Sequence, residues 1–408
     1  MPQSFLHSRA NLTEVRILQI TKKFPYPVID GEVIAVNNLT KGFAQLGHQV
    51  TVLALNTNKH YFDISKLPEE VKAMATYKAV DINTDISAVK AFANLFSNES
   101  YNIERFYSPE FERLIEEELG SAQYDMVLLE TIYLMRYIEV IRRSTKAKVV
   151  LRPHNVEYLI WHRLAAHEKN AAKKQYLNLL TRRMKAFELA NINKADVLAP
   201  VSETDMQMFI AEGAKTRYKA FPIGYEIPKQ LPQVEEENAV EFIGGMDWLP
   251  NYVGVKWFIN HIWPLVVEKK PEAKFYLAGR NFPDDLKQRQ DKGLVVVGEV
   301  ADAKQFIASK TISVVPLLAG SGMRVKIIEA MALGRAIVST SVGAESIAYT
   351  HNENILIADG EQHIADAVIK LLEDARLRAS LGNKARELVN RVYDNSKICS
   401  AIIDFCKA

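Results

Sequence analysis

Val15-Arg16-Ile17-Leu18-Gln19-Ile20, a helical pattern from about Val33 to Leu46, and then Gln49-Val50-Thr51-Val52-Leu53-Ala54-Leu55 set the fold class. The first run is short, rich in branched residues and followed by a proline-punctuated loop, so it reads as a buried strand. Gly47 closes the helical stretch as a C-cap signal. The second apolar run reads as another strand. Strand, helix, strand at this spacing is a βαβ unit, which implies a parallel sheet.

Working outward, the pattern recurs. Asp125 to Leu129, Lys148 to Leu151 and Asp196 to Ala199 read as further strands, with long helical stretches between them. Phe221-Pro222-Ile223-Gly224-Tyr225 breaks the series, and the polar, acidic stretch Gln230 to Glu237 reads as a linker. A second series follows: Val240 to Ile243, Lys274 to Leu277, Leu294 to Val297, Ile312 to Val315, Ala336 to Ser339 and Ile355 to Ala358. The chain then ends in three helical stretches, roughly His363 to Glu373, Ala375 to Val392 and Ser396 to Lys407. Two complete α/β sheets are expected, one in each half.

Composition agrees with this and excludes several classes. The 408 residues suit about two domains, and 48% hydrophobic with 25% charged residues is that of an ordinary globular protein. A net charge of +2 is too weak to imply nucleic acid as a partner. The two cysteines, Cys399 and Cys406, lie two helical turns apart, too far for a bridge, and no Cys/His cluster has zinc spacing. Met1 to Glu14 lacks the apolar core of a signal peptide, and no apolar run reaches the length of a membrane span. A cytoplasmic protein is expected.

The stretch richest in chemistry is Gly320-Ser321-Gly322-Met323-Arg324-Val325-Lys326-Ile327-Ile328-Glu329-Ala330-Met331-Ala332-Leu333-Gly334. It follows an expected strand and opens an expected helix. Two glycines let backbone approach a ligand closely, and a helix N-terminus offers unpaired N–H groups to phosphate. Arg324 and Lys326 add cationic donors. A charge-assisted hydrogen bond contributes roughly 1.5–3 kcal/mol against up to about 2 kcal/mol for a helix terminus, so the cations would hold a diphosphate more than the dipole does. In a regular helix the two cations would point about 200° apart, so both face one ligand only if Arg324 lies in the loop. Glu329 can accept from a diol such as a ribose. The alternative is a glycine turn with Lys326 and Glu329 as an i,i+3 surface pair. A dinucleotide fingerprint fits less well, because Val325 stands where the third glycine would be.

This stretch resembles the donor-site signature of the family-four retaining glycosyltransferases, which have the GT-B fold: Glu329-Ala330-Met331-Ala332, Gly334, Val338 and Thr340 match its pattern. Further blocks are similar in order. They are Phe242-Ile243-Gly244-Gly245 with Met246-Asp247-Trp248 and Pro250-Asn251, and Leu277-Ala278-Gly279-Arg280-Asn281. Near the start come Phe24-Pro25-Tyr26-Pro27, Asp30-Gly31-Glu32 and Leu46-Gly47-His48-Gln49-Val50. Two departures stand out: Ser321 occupies the place of a second glutamate, and a lysine common after the first strand of the second domain is missing.

The resemblance implies an acceptor domain over about 1–222 and a nucleotide-sugar domain over about 223–385, with a last helix, about 386–408, crossing back to the first. It implies that Glu329 binds ribose and that Arg324 and Lys326 bind diphosphate. Gly322 and Met323 would offer N–H groups to the sugar, with Ser321 beside them. Val300 would frame the base, Gly245 and Arg280 would line the nucleotide side, and Gly31 would line the cleft from the other domain. The nucleotide sugar is then a substrate, and no separate cofactor is implied. No Asp-x-Asp metal motif is present, so a metal-independent hexosyltransferase acting in cell-surface polysaccharide or glycoconjugate synthesis is expected. A nucleotide-sugar isomerase of the same fold and a non-catalytic nucleotide-binding homologue remain open alternatives.

Leu151-Arg152-Pro153-His154-Asn155-Val156-Glu157 follows an expected strand. This puts His154 at the carboxyl end of a parallel sheet, where ligands bind in open α/β folds. In the resembled family a histidine at this place lies beside the sugar. The alternative is a loop histidine that caps the next helix together with Asn155. An expected helix from Leu159 to Leu189 is basic, with Arg163, Lys169, Lys173, Lys174, Arg182, Arg183 and Lys185. It reads either as a peripheral surface for anionic lipid at the inner membrane face, suited to a lipid-linked acceptor, or as a solvated face over a core stripe.

Overall fold

The structure, a computed structural model, describes residues 14–28, 30–97, 99–228, 236–320 and 322–408. Ser321 lies outside them. The first half carries β1 (Arg16–Thr21), β2 (Gln49–Thr57), β3 (Thr76–Ile82), β4 (Met126–Leu129), β5 (Lys148–Leu151), β6 (Val197–Leu198) and β7 (Arg217–Tyr218). These form one parallel sheet in the order β3-β2-β1-β4-β5-β6-β7. The second half carries β8 (Ala239–Ile243), β9 (Lys274–Ala278), β10 (Leu294–Gly298), β11 (Ile312–Val315), β12 (Ala336–Ser339) and β13 (Leu356–Ile357). They form a second parallel sheet in the order β10-β9-β8-β11-β12-β13.

The central strands are buried on both faces, as crossover helices on both sides require: β1 reads buried from Ile17 to Thr21, and β4 and β11 are buried throughout. Two strands escaped the sequence reading. Along β3, an edge strand, Val80 alone is buried, and β7 is two exposed residues at the opposite edge. Neither shows the apolar run that marks a central strand. The helix expected from Leu159 to Leu189 is two helices, Glu157–His167 and Ala171–Asn191. The side chain of Asn170 accepts from the Lys173 N–H and so starts the second helix, an N-cap signal that the long basic pattern concealed.

That basic surface is largely engaged within the chain. Lys173 pairs with Glu168, Lys185 with Glu212 and Arg163 with Glu345, while Arg183 donates to the Asn94 and Leu95 carbonyls. Leu180 and Met184 are buried beneath it. Among the described residues no helix is long and apolar enough to cross a membrane.

Two adjacent segments join the halves. Phe221 to Glu226 runs out of the first domain, and Tyr393-Asp394 runs back, with the Tyr225 N–H donating to the Tyr393 carbonyl at 2.7 Å. The helix Asn395–Lys407 then packs on the first sheet. Its Ile398, Cys399, Ile402 and Ile403 share one buried cluster with Ile17, Leu39, Phe43, Val52 and Leu128. Both thiols are buried and free.

Candidate functional site

Strand order reverses beside β1 in the first sheet and beside β8 in the second. Neighbouring connections leave such a point on opposite faces, which opens a crevice at the carboxyl ends of the strands. The residues just beyond the strand ends supply the two walls of a cleft between the domains.

On the second-domain wall, the chain leaves β11 at Val315 and re-enters a helix at Val325–Ala332. Gly322 has φ +79°, and a Cβ there would fall 2.0 Å from the Asn155 Oδ1 and 3.0 Å from the His154 carbonyl oxygen. The loop therefore touches the first domain because this residue has no side chain. Arg324 occupies the N-cap position, outside the helix, so the opposed directions of an all-helical pair do not arise. Its Nη1 donates to the Gly322 carbonyl at 2.8 Å, and its guanidinium lies 5.2 Å from the Trp248 ring. Burial pushes this group down to about 10.

Lys326 lies inside the helix. Its Nζ donates to Asn251 Oδ1 at 3.1 Å and sits 4.0 Å from the Phe242 ring. Burial first, and the Arg324 charge second, push the ammonium down to about 7. Glu329 is 8% exposed, and its Oε1 accepts from the Tyr225 hydroxyl at 3.3 Å. Burial raises its carboxyl above the usual range, against the pull of Lys304, Tyr225 and Lys326. The i,i+3 surface pair is thereby excluded, since Glu329 is interior and Lys326 bonds elsewhere.

Around them, the Gly245 carbonyl accepts from Asn251 Nδ2 at 2.8 Å, and the Arg280 carbonyl accepts from the Met246 N–H at 2.9 Å. Gly279, at φ +140°, brings its Cα so near β8 that a Cβ would lie 1.9 Å from the Gly244 carbonyl oxygen. Val300 is half-buried against the second core. Met323 is half-buried where that core meets the small cluster of Ala35, Val201, Ile223 and Val325 between the domains.

On the first-domain wall, Glu130 directly follows β4 and is fully buried. Its Oε2 lies 2.9 Å from His154 Nε2 and 3.9 Å from Arg152 Nη1, and its Oε1 accepts from Gln19 Nε2 at 2.5 Å. A ring nitrogen facing a carboxylate carries the proton. The His154 Nδ1 is buried and has no hydrogen-bond partner among the described residues. His154 caps no helix: the cap position of the following helix is Val156, without a side-chain bond.

At the end of β1, Lys23 pairs with Asp30 at 2.8 Å and with Glu32 at 3.3 Å. Asp30 also caps the helix Gly31–Gln45 by accepting from the Val33 N–H at 3.0 Å. Burial works against ionisation of Asp30, but Lys23, the Val33 N–H and His60 outweigh it and pull the carboxyl down to about 2. Gly31 starts this helix directly opposite the other, since a Cβ on it would sit 3.5 Å from Val325 Cγ2. Ion pairs close the cleft at its sides, Lys59 with Asp247 at 2.9 Å and Arg163 with Glu345 at 3.2 Å.

Sequence reading missed Glu130, Gln19 and Tyr225. The first had a signal, a carboxylate directly after the apolar run Met126–Leu129 and so at a strand's carboxyl end. Gln19, inside an apolar strand, had only its polarity.

Two parallel-sheet domains that face each other across such a cleft define the GT-B class of fold. Solved structures bear this out along nearly the whole chain. Sucrose-phosphate synthase from Thermosynechococcus elongatus is 16% identical with a TM-score of 0.70, over 97% of this chain and 98% of that one. Anabaena HepE in complex with UDP is 14% identical with a TM-score of 0.67, over 95% and 98%. Residues 237–374 match the family model described as Glycosyl transferases group 1.

Two relatives are similar in sequence. One is an uncharacterized 44.6 kDa protein in the cps region of Klebsiella pneumoniae, 26% identical over 69% of this chain and 74% of its own length. The other is the phosphatidyl-myo-inositol mannosyltransferase of Mycolicibacterium smegmatis, 30% identical over 34% of this chain and 38% of its own length. The family match falls within the second domain, and the solved folds show the GT-B architecture along nearly the whole chain.

Proposed function

We propose that this chain transfers a sugar, with retention, from a nucleoside-diphosphate sugar to a saccharide or lipid-linked acceptor in cell-surface polysaccharide or glycoconjugate synthesis. The observation that carries the reading is the meeting of Gly322 with His154 and Asn155 across the cleft, on the loop that leads through Arg324 into the helix bearing Lys326. Support for the donor comes from neighbours solved with UDP and with UDP-glucose.

In this reading Arg324 and Lys326 take the diphosphate, and Glu329 accepts from the ribose diol beside Tyr225. The N–H groups of Gly322 and Met323, which follow Ser321 in the sequence, face the sugar. Gly245, Arg280 and Val300 surround the nucleoside, and Gly31 closes the opposite side. His154, oriented by Glu130, offers Nδ1 to a sugar hydroxyl. Catalysis is then positioning plus electrostatics. The bond from the anomeric carbon to the donor phosphate oxygen breaks, the diphosphate leaves into the cationic loop, and the acceptor hydroxyl attacks from the face it vacates, passing its proton to the departing phosphate oxygen. The leaving charge is met by Arg324 and Lys326, so the reaction proceeds without a metal.

Thermal stabilisation by UDP-, GDP-, ADP- and TDP-sugars, with and without chelator, tests this on wild type and Glu329→Ala. The expected result is a chelator-insensitive shift for one nucleotide that the variant loses. No shift with any of them, or an equal shift in the variant, sinks the assignment.

A further inference from the structure

A cavity of about 540 Å³ opens in the first domain beside the cleft. Four cations line it, Lys22, Lys23, Lys59 and Arg105, against two carboxylates, Glu32 and Asp85. Its place beside the transfer site follows from two contacts. Lys59 reaches Asp247 of the second domain at 2.9 Å, and Lys23 pairs with Asp30, the cap of the helix that begins at Gly31 opposite Val325.

The cations are not equally satisfied. Lys22 and Lys23 share Glu32, each at 3.3 Å, and Lys23 also holds Asp30. Arg105 pairs with no carboxylate among the described residues. Its guanidinium lies 5.8 Å from the Tyr101 ring and 5.8 Å from the Phe106 ring, and its Nε is buried without a hydrogen-bond partner.

Lys22 approaches the same Phe106 ring at 5.9 Å and lies 4.4 Å from Tyr133. Two cations thus converge on one aromatic ring at the wall of a cavity. Each ring favours its cation, but the two repel, and an anion seated between them would relieve the repulsion while meeting unused donors.

We propose that this cavity receives the acceptor and selects one carrying an anionic group, a phosphate or carboxylate, held by Arg105 and Lys22. This rests on the glycosyltransferase reading above and names the acceptor class of that site. The group can sit on a free sugar or on a lipid headgroup. Ile86 on the cavity wall is 75% exposed, and Val89, Phe92 and Phe96 continue an exposed apolar strip from it, which suits the lipid-borne source.

The test is calorimetric titration of the full chain under a saturating concentration of the nucleoside diphosphate that the donor panel identifies, which keeps phosphate probes out of the donor loop. One arm uses glucose 1-phosphate in solution and the other uses dodecyl phosphate in neutral detergent micelles. Methyl glucoside and detergent alone are the neutral controls. The expected result is binding in at least one arm, none by the neutral controls, and a weakening of roughly tenfold or more in Arg105→Gln. Thermal stabilisation by that nucleoside diphosphate checks that the variant is folded, and Lys22→Gln carries the same comparison if Arg105→Gln fails that check. Equal binding of neutral and anionic probes, no binding in either arm, or unchanged affinity in a folded variant overturns the proposal. Wild type that responds to one nucleotide but to neither probe loses this inference and keeps the donor reading. Wild type that binds phosphate but is indifferent to every nucleotide does the reverse.

Discussion

On the second-domain wall of the cleft, Arg324, Lys326 and Glu329 come from one loop and the helix it opens. On the first-domain wall, Glu130 meets Gln19 across 111 positions of sequence and His154 across 24. The first arrangement depends on backbone coming close to backbone at glycines, the second on adjacent strands delivering charge to one buried point. A local wall is specified by a motif; an assembled wall is specified by the strand order β1-β4-β5 and exists only once the sheet does.

The sharpest way to break the comparison is at Glu130. Its removal in Glu130→Ala leaves Arg152, fully buried, without its carboxylate and His154 without its anchor. Stripping one partner from a buried charged group costs about 3–5 kcal/mol, so urea unfolding of the first domain should shift by that amount. A change under about 1 kcal/mol would mean the assembled wall is not under strain of charge at all.

On the other wall the corresponding damage is steric. Gly279→Ala adds a Cβ 1.9 Å from the Gly244 carbonyl oxygen at φ +140°, and should cost about 3 kcal/mol in the second domain. The unaffected domain serves as the internal reference in each experiment.

A smaller effect sharpens the contrast in charge. Lys326, facing Arg324, Glu241 and Glu329, is held down to about 7 in the empty site. Below that pH it is charged, and a diphosphate binds it at full strength. Above it the empty site loses the proton while the occupied site keeps it, so binding takes up a proton. Nucleotide affinity should then fall by up to about tenfold per pH unit above about 7, and Lys326→Met should flatten the profile. Calorimetry in buffers of different ionisation enthalpy reads the proton uptake directly.

The smallest effect is at the rim. Lys59 and Asp247 are 62% and 37% exposed in their side chains. Lys59→Ala should change stability by less than about 1 kcal/mol, with any larger loss showing that the pair holds the two walls together.

Legibility in the sequence followed the same division. The central strands, both sheets and the loop from Gly320 to Gly334 announce themselves through apolar runs and glycine placement. Ligand chemistry on that wall can be read because its groups are neighbours in the chain. The edge strands β3 and β7 could not be read, since an edge needs no apolar run. Glu130 was hidden because its partners are set by which strands lie side by side. Tyr225, in the connecting segment, reaches Glu329 only after the chain has crossed between domains.

The returning helix Asn395–Lys407 bears on the order in which the molecule is made. Domains emerging from a ribosome usually fold in turn, the earlier one first. Here Ile398, Cys399, Ile402 and Ile403 fill the cluster that Ile17 and Val52 begin. The earlier domain therefore waits, with an apolar face open, while the whole of the later one is synthesised. Translation of the last helix closes that face, and a ribosome that stalls before residue 395 leaves the start of the chain, rather than its end, exposed to chaperones and proteases.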